Sequence, residues 1–307
     1  MRRPSRRHRT SRRPNPRPGS AYRGKPEDAP NGTCTLLSQA LEERRQQFFR
    51  QLARMRRRPT EPAIHDFRVA LRRLIAALDL AGAVNSGCRI TGVRRILRKG
   101  LKQFNALRDV HIGLLAMKGL SRTAPAVRSY VGSLRSRERV LLGRCMTYLR
   151  SMDVQEIERE CGAVQQGLLV MSTEPAFDAA ASPIAMGFLA EAFAKALHLK
   201  RAVTAADPAS IHRLRVAFKK VRYAAEILAP LLPWMTRTRR KWIQSYQTLM
   251  GDVQDVEVMI AGVGRFAARQ SMRNRVSVLP LQQELARQKR ERVEAFMRRA
   301  GELEGFW

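Results

Sequence analysis

The chain has 307 residues, with 58 Lys and Arg against 26 Asp and Glu, so its formal net charge is +32 at pH 7. Charge of this size repels itself in a compact state, which favours a polyanion or another acidic partner. A hydrophobic fraction of 44% is enough to bury a large core, so the chain is more than a basic tail.

Two further patterns narrow the class of protein. No run approaches the roughly 18 apolar residues that a bilayer requires, and no apolar segment follows the N-terminal arginines, so we expect neither a membrane span nor a secretory signal. The four cysteines have no CxxC spacing. This favours reduced thiols in a cytoplasmic protein over a disulfide framework or a zinc site.

Residues 1–33 differ from the rest of the sequence. They hold ten Lys or Arg, two acids and many Pro, Ser and Gly, for a net charge of +8. Such a segment cannot bury enough apolar surface to offset the entropy of ordering, so we predict a disordered basic arm. The remaining +24 belongs to the body of the chain, which indicates a basic folded surface.

From residue 34 onward the sequence predicts an all-α fold, because good helix formers dominate and alternating strand patterns are absent. A Pro- and Ala-containing stretch over about 172–183 is predicted as a linker between a first helical bundle, about 34–171, and a second, about 184–303. The predicted helices cover about 35–57, 61–82, 90–118, 126–151, 153–171, 184–203, 208–230, 236–269 and 279–300.

The second half of the chain repeats the first. IHDFRVALRRL over 64–74 matches IHRLRVAFKKV over 211–221 at an offset of 147 residues, with Asp66 against Arg213 as the clear mismatch. LRDV over 107–110 matches VQDV over 253–256 at an offset of 146. Two matches in the same order at nearly the same offset predict a duplication.

At 100° per residue, each copy of the longer motif separates into an apolar stripe and a basic stripe. The apolar stripes are expected in the core: Ile64, Phe67, Leu71, Leu74 and Leu78, and Ile211, Leu214, Phe218, Val221 and Ala225. The basic stripes are His65, Arg68 and Arg72 in the first copy and His212, Arg215 and Lys219 in the second. We call these stripes the two ladders.

A solvated basic face is the usual explanation for such a stripe, but the ladder occurs twice at equivalent positions with few acids nearby. We therefore predict an anion-binding site assembled from both copies. The repeated acids Asp109 and Asp255 are expected to orient a neighbouring Arg or His. No metal is expected at the histidines, since no ligand stands at i+4. The full set of predicted anion-binding residues is His65, Arg68, Arg72, Arg73, Arg98, Lys102, His212, Arg215, Lys219, Lys220, Arg222 and Tyr223.

The motifs IHDFRVALRRL, IHRLRVAFKKVRYAAEIL, LRDV and MGDVQDV resemble those of the CHAD family, the conserved-histidine α-helical domains, over about residues 35–300. The second copy matches the family pattern at His212, Arg215, Lys219, Lys220, Arg222 and Tyr223. The first copy departs at Ile75, where the pattern usually has Arg, which bears on whether both halves contribute equally.

The resemblance implies two four-helix bundles related by a pseudo-twofold axis, with a basic groove or pore between them. It also implies binding of inorganic polyphosphate without catalysis or a cofactor, and recruitment to polyphosphate granules in the cytoplasm. Two alternatives remain from the residues themselves. One is a nucleic-acid or nucleoid-associated protein that also uses the basic arm. The other is an enzyme that cleaves phosphoanhydrides, with His65 or His212 as base or nucleophile.

Overall fold

A computed structural model describes residues 32–118, 125–271 and 275–306, and the predicted arm over 1–33 lies almost wholly outside them. All regular secondary structure in these ranges is helical. The α-helices are α1 (Thr33–Arg57), α2 (Glu61–Val84), α3 (Thr91–Gln103), α4 (Asn105–Met117), α5 (Pro125–Arg150), α6 (Val154–Thr173), α7 (Pro175–Arg201), α8 (Pro208–Ile227), α9 (Arg237–Ala267) and α10 (Leu279–Arg299). Two 3₁₀ segments cover Ala229–Leu231 and Ala300–Phe306.

The start of each motif helix is fixed by local chemistry. Thr60 caps α2 by accepting a hydrogen bond from the backbone N–H of Ala63, and a proline follows within the first two positions. Asp207 caps α8 in the same way through the N–H of Ala209, again with proline at the first turn. These caps satisfy N–H groups that a helix start otherwise leaves without a partner, so both ladders begin on firmly anchored turns.

Two predicted elements are wrong in detail. The predicted linker over 172–183 is helical from Pro175 onward, because α7 tolerates Pro183 in its interior and α6 ends only at Thr173. The single helix predicted over 90–118 is divided at Phe104 into α3 and α4. The ring of Phe104 is fully buried and packs edge-on against Phe67 at a centroid distance of 5.4 Å, which places the junction against α2.

The apolar side chains form two clusters. The larger contains residues from both halves of the sequence, from Cys34 to Phe306, and includes the predicted stripes of α2 and α8, which are all buried as expected. The smaller joins α4 and α5 to the C-terminal part of α9 and the start of α10. Since the larger cluster is shared by the two halves, the halves are bound together through a common core; their division into two bundles stays a prediction.

Helix α7 is long and apolar enough, by length and composition, to cross a membrane, with a mean hydropathy of 1.2 over its best window. It packs against α8 and α1 in this fold. Its buried residues are Ala181, Ala185, Leu189, Ala192, Phe193 and Ala196. A share of 33% of this apolar segment is buried inside the protein, so packing accounts for only part of its apolar character.

Candidate anion-binding site

Helices α2 and α8, which carry the two copies of the motif, pack against each other. An ion pair links them directly, with Nη2 of Arg73 on α2 lying 3.5 Å from Oε2 of Glu226 on α8. The apolar stripes of both helices face the core, so the adjacent basic stripes are turned toward the same region. Segments that lie 147 residues apart in sequence therefore meet in space.

On α2, Arg68 is the buried member of the ladder, with 5% of its surface exposed. Its Nη1 donates to the carbonyl oxygen of Leu101 at 3.1 Å and to Oδ1 of Asn105 at 3.0 Å. Burial, reinforced by repulsion from Arg72, lowers the pKa of Arg68 to about 9. Arg68 therefore stays charged at neutral pH while it joins α2 to the α3–α4 junction.

Arg72 and His65 continue the first ladder on either side of Arg68. Burial is the main cause that lowers the pKa of Arg72, and Arg108 adds repulsion. His65 is exposed, but partial desolvation and then the charge of Arg108 lower its pKa, which favours the neutral ring. The positive charge of neighbouring cations therefore acts on both side chains.

On α8, the second ladder contains His212, Arg215 and Lys219. One ring nitrogen of the exposed His212 hydrogen-bonds Oε1 of Gln254 on α9. The buried Nε of Arg215 has no hydrogen-bond partner within the described part of the chain. Burial lowers the pKa of Arg215, opposed by the carboxylate of Asp255 and reinforced by Arg72.

Lys219 shows most clearly that the ladders converge. Burial lowers the pKa of its ammonium group to about 6, and repulsion from Arg72 and then Arg215 is next in size. Arg68 adds a smaller repulsion, and Asp255 gives the opposing attraction. The amine of Lys219 is thus mostly neutral at pH 7, mainly because it is buried and further because cations from both copies of the motif lie near it.

Sequence reasoning missed one further member of this region, Arg108 on α4. Its Nη1 lies 2.6 Å from Oε1 of Glu61, and its charge acts on His65, Arg68 and Arg72. Its place in the repeated LRDV motif was the signal that could have identified it. We refer to Arg68, Arg72, Arg108, Arg215 and Lys219 as the cationic cluster.

The two repeated acids lie beside this cluster. Burial raises the pKa of Asp255, and the charges of Arg215 and Arg108 oppose that rise. Burial likewise raises the pKa of Asp109, opposed first by Arg68. Each carboxylate therefore faces arginines of the cationic cluster, which agrees with an orienting role for both acids, although that role stays a prediction.

The other predicted residues lie further out. Arg73 and Arg222 both pair with Glu226, the latter with its Nε 2.7 Å from Oε1. The Nζ atom of Lys220 lies 4.1 Å from the centroid of the Phe188 ring. Arg98 is 3.9 Å from Asp79, Tyr223 is buried beneath Arg222, and Lys102 is exposed on α3. The structure thus brings together Arg68, Arg72, Arg215 and Lys219, and places Arg73, Arg98, Lys102, Lys220 and Arg222 outside that group.

No group of three or more His, Cys, Asp or Glu side chains in the described residues has the arrangement of a metal site. His111 on α4 contacts an acid, with its Nε2 2.9 Å from Oε1 of Glu138 on α5. It lies apart from the ladders in sequence and joins two neighbouring helices. The cationic cluster presents guanidinium and ammonium groups, which are donors suited to anions.

Comparison with known proteins identifies the family to which the chain belongs. The family model for the CHAD domain matches residues 39–262, so the chain belongs to the CHAD domain family. Its fold is similar to the crystal structure of the CHAD domain from the plant Ricinus communis, with a TM-score of 0.69 and 22% identity over 89% of this chain and 92% of that one.

A second similar structure is that of PptA from Streptomyces chartreusis, with a TM-score of 0.56 and 18% identity over 89% of this chain and all of that one. No curated protein sequence matches the chain. At these identities the two solved structures support the fold, and the function has to be argued from the site itself.

Proposed function

We propose that this protein binds inorganic polyphosphate in the space between the α2 and α8 ladders. The observation that carries the proposal is the packing of α2 against α8, which brings cations of both copies of the motif around the half-buried Lys219. Burial first, and then the charges of these arginines, lower the pKa of Lys219 to about 6. Buried like charges without compensation are costly, and a bound polyanion removes that cost.

A linear anion fits the shape of the ladders. His212 and Lys219 are seven residues apart on one helix, a rise of about 10 Å along the axis. Arginine offers paired donors to phosphate oxygens and lysine offers a point charge, so successive phosphates can be held along the helix. In this proposal the two halves derive from a duplication, and each contributes one wall of the site.

Nucleic acid is the alternative polyanion. Single-stranded nucleic acids are bound largely by stacking of bases on exposed aromatic rings. Among the described residues, the aromatic side chains near the ladders are Tyr223, which is 8% exposed, and Phe188, whose half-buried ring already lies 4.1 Å from Nζ of Lys220. This favours a ligand that has phosphates and no bases.

We also propose that binding occurs without turnover, in the cytoplasm and in association with polyphosphate granules. The two repeated acids, Asp109 and Asp255, each face arginines, which leaves them poorly placed to hold a divalent cation for phosphoryl transfer. Incubation of the protein with polyphosphate and magnesium should therefore release no phosphate above the rate without protein. Protein-dependent release would show that the protein is an enzyme.

The binding proposal is tested by titrating the full chain with long-chain polyphosphate in an isothermal calorimeter. We expect sub-micromolar affinity that falls steeply with salt, because counterions are released on binding. Changing His212, Arg215 and Lys219 together to Ala should abolish the binding. The matched control replaces two exposed arginines of α5, Arg135 and Arg144, with Ala and should retain it. Unchanged affinity in the triple variant would overturn the site.

Competition distinguishes the two polyanions. Single-stranded DNA at equal phosphate concentration should not displace polyphosphate from the protein. Displacement by DNA would favour the nucleic-acid function instead.

A further inference from the structure

A cleft of about 400 Å³ lies beside the cationic cluster, between α2 and α3 on one side and α7 and α8 on the other. Arg72 and Lys219 belong to both the cluster and the cleft. Unlike the ladders, much of the cleft wall is apolar. Its apolar side chains include Ile75, Leu101, Phe188, Leu199 and Val216. A cleft of this volume with apolar walls and a few polar groups is typical of a site for a small organic molecule.

The rim of the cleft is cationic. It includes Arg98, Lys195 and Lys220 in addition to Arg72 and Lys219. The acid among the lining residues, Asp79, is engaged, since its Oδ1 lies 2.7 Å from Nε of Arg94. The free charge around the cleft is therefore positive, so the polar end of a ligand has to be an anion.

The equivalent place in the other half of the fold is different. The residue 147 positions after Ile75 is Arg222, and the residue 147 positions after Asp79 is Glu226. These two side chains pair with each other at 2.7 Å, and Arg73 joins them at 3.5 Å from Glu226. Ionic groups thus occupy the position at which the first half presents the apolar side chain of Ile75.

Inorganic polyphosphate carries no apolar surface, so contact with the apolar wall of the cleft does not stabilise its binding. We propose that the cleft binds an amphipathic phosphate, a single alkyl or acyl chain that ends in a phosphate monoester. The chain lies on the floor formed by Ile75, Leu101 and Val216, and the phosphate lies between Arg72 and Lys219. The floor side chains carry no hydrogen-bonding groups, which favours a hydrocarbon body over a nucleobase.

The test uses butyl, hexyl and octyl phosphate below their micellar concentrations, titrated into the full chain by isothermal calorimetry. Burial of each added methylene should tighten binding up to about fourfold until the floor is covered. Octyl phosphate should therefore bind at least about tenfold more tightly than butyl phosphate. Equal affinity across the series would overturn the proposal, as would equal affinity for octanol, which lacks the anion.

Two variants locate the site. Ile75→Arg gives the first half the residue found at the equivalent place in the second half, and should abolish the dependence on chain length. Ile184→Arg makes the same change at an exposed isoleucine of α7 outside the cleft, and should leave the dependence intact. Val216 is 54% exposed, so Val216→Gln should fold normally and weaken octyl phosphate binding a few-fold. Equal behaviour of the two arginine variants would indicate nonspecific uptake of the chain and overturn the cleft assignment.

This inference does not depend on polyphosphate binding. A parallel titration of each variant with long-chain polyphosphate separates the two proposals. If the Ile75→Arg variant retains polyphosphate binding and loses the dependence on chain length, the cleft is a site of its own. If the wild-type chain shows the dependence on chain length and no polyphosphate binding, the proposed function fails and the cleft proposal stands.

Discussion

The α2 and α8 ladders carry the same residue types at equivalent positions, but their arginines are held differently. Nη1 of Arg68 on α2 donates to both Leu101 and Asn105, and the side chain is almost fully buried. Its counterpart Arg215 on α8 keeps a buried Nε without a hydrogen-bond partner in the described ranges, beside Asp255. The first ladder is thus hydrogen-bonded to neighbouring helices of its own half. The second ladder keeps a hydrogen-bond donor that is available for a ligand.

The two histidines also differ, here with the second copy as the hydrogen-bonded one. His212 hydrogen-bonds Gln254, while the residue aligned with Gln254 in the first half is Arg108, whose charge acts on His65. An anion near His65 therefore also meets a guanidinium, and an anion near His212 meets a positioned imidazole. The two copies of the motif thus place different hydrogen-bond donors in the space between α2 and α8.

The largest expected effect comes from changes in the second ladder, on α8. Replacing Arg215 and Lys219 together with Ala should weaken polyphosphate binding about a hundredfold, because charge-assisted hydrogen bonds contribute about 1.5–3 kcal/mol each. Calorimetric titration measures the change. Replacing Arg73 and Arg98, which are paired with acids in the structure, is the matched control and should have a far smaller effect. Equal losses in both variants would show that bulk charge determines affinity.

The first ladder, on α2, should matter more for the stability of the fold. Arg68→Met leaves the Leu101 carbonyl and the Asn105 side chain without their donor, which should cost about 1–3 kcal/mol in the free energy of unfolding. Urea denaturation followed by circular dichroism measures this. The control is Arg56→Met, an exposed arginine that also donates to a carbonyl, that of Leu149, and it should cost clearly less. An unchanged midpoint in the Arg68 variant would contradict the structural role.

Lys219 predicts how binding depends on pH. Its pKa is about 6 in the free protein, and a bound polyanion raises that pKa, so binding takes up a proton. Affinity should therefore be highest near pH 6 and fall as the pH rises, by at most about tenfold per unit. Because the folded pKa is depressed, the same group makes the free protein more stable as the pH rises above 6. Titrations at several pH values in buffers of different ionisation enthalpy measure the uptake.

Lys219→Arg is the control for that dependence, because an arginine keeps its charge throughout the range. The pH dependence of the affinity should therefore become much shallower in this variant. A dependence that survives unchanged in Lys219→Arg would assign the titration to another group.

The smallest effect is expected at the link between α2 and α8. The Arg73–Glu226 pair is partly exposed and 3.5 Å long, so Arg73→Ala should change the free energy of unfolding by less than about 1 kcal/mol. Polyphosphate affinity should change by about twofold or less, since one distant cation is lost. A large loss of affinity would move Arg73 into the site.

Periodicity predicted the buried stripes of α2 and α8 residue by residue, because a helix that packs on one face leaves a regular pattern. It could not predict the junction at Phe104, where burial of one ring against Phe67 outweighs the helical pattern that runs on either side. Nor could it predict that Pro183 lies inside α7. Proline ends many helices but is tolerated when packing supports the remaining hydrogen bonds.

For the site, the repeat identified the two ladders but not how they share their surroundings. The difference between Arg68 and Arg215 depends on contacts with Leu101, Asn105 and Asp255, which come from other helices and leave no trace in the spacing of the motif. Arg73 and Arg222 look equivalent to the ladder cations in sequence. They instead form ion pairs with Glu226, a residue that lies beyond the repeated segment.

The central claim is that both ladders form one site. Isothermal titration of the full chain with a short, defined polyphosphate chain tests it most directly. We predict one chain bound per protein, and weaker binding of that one chain when either Arg72 on α2 or Lys219 on α8 is changed to Ala. Two chains bound per protein, with each variant losing only one of them, would contradict the claim and show that the two halves bind independently.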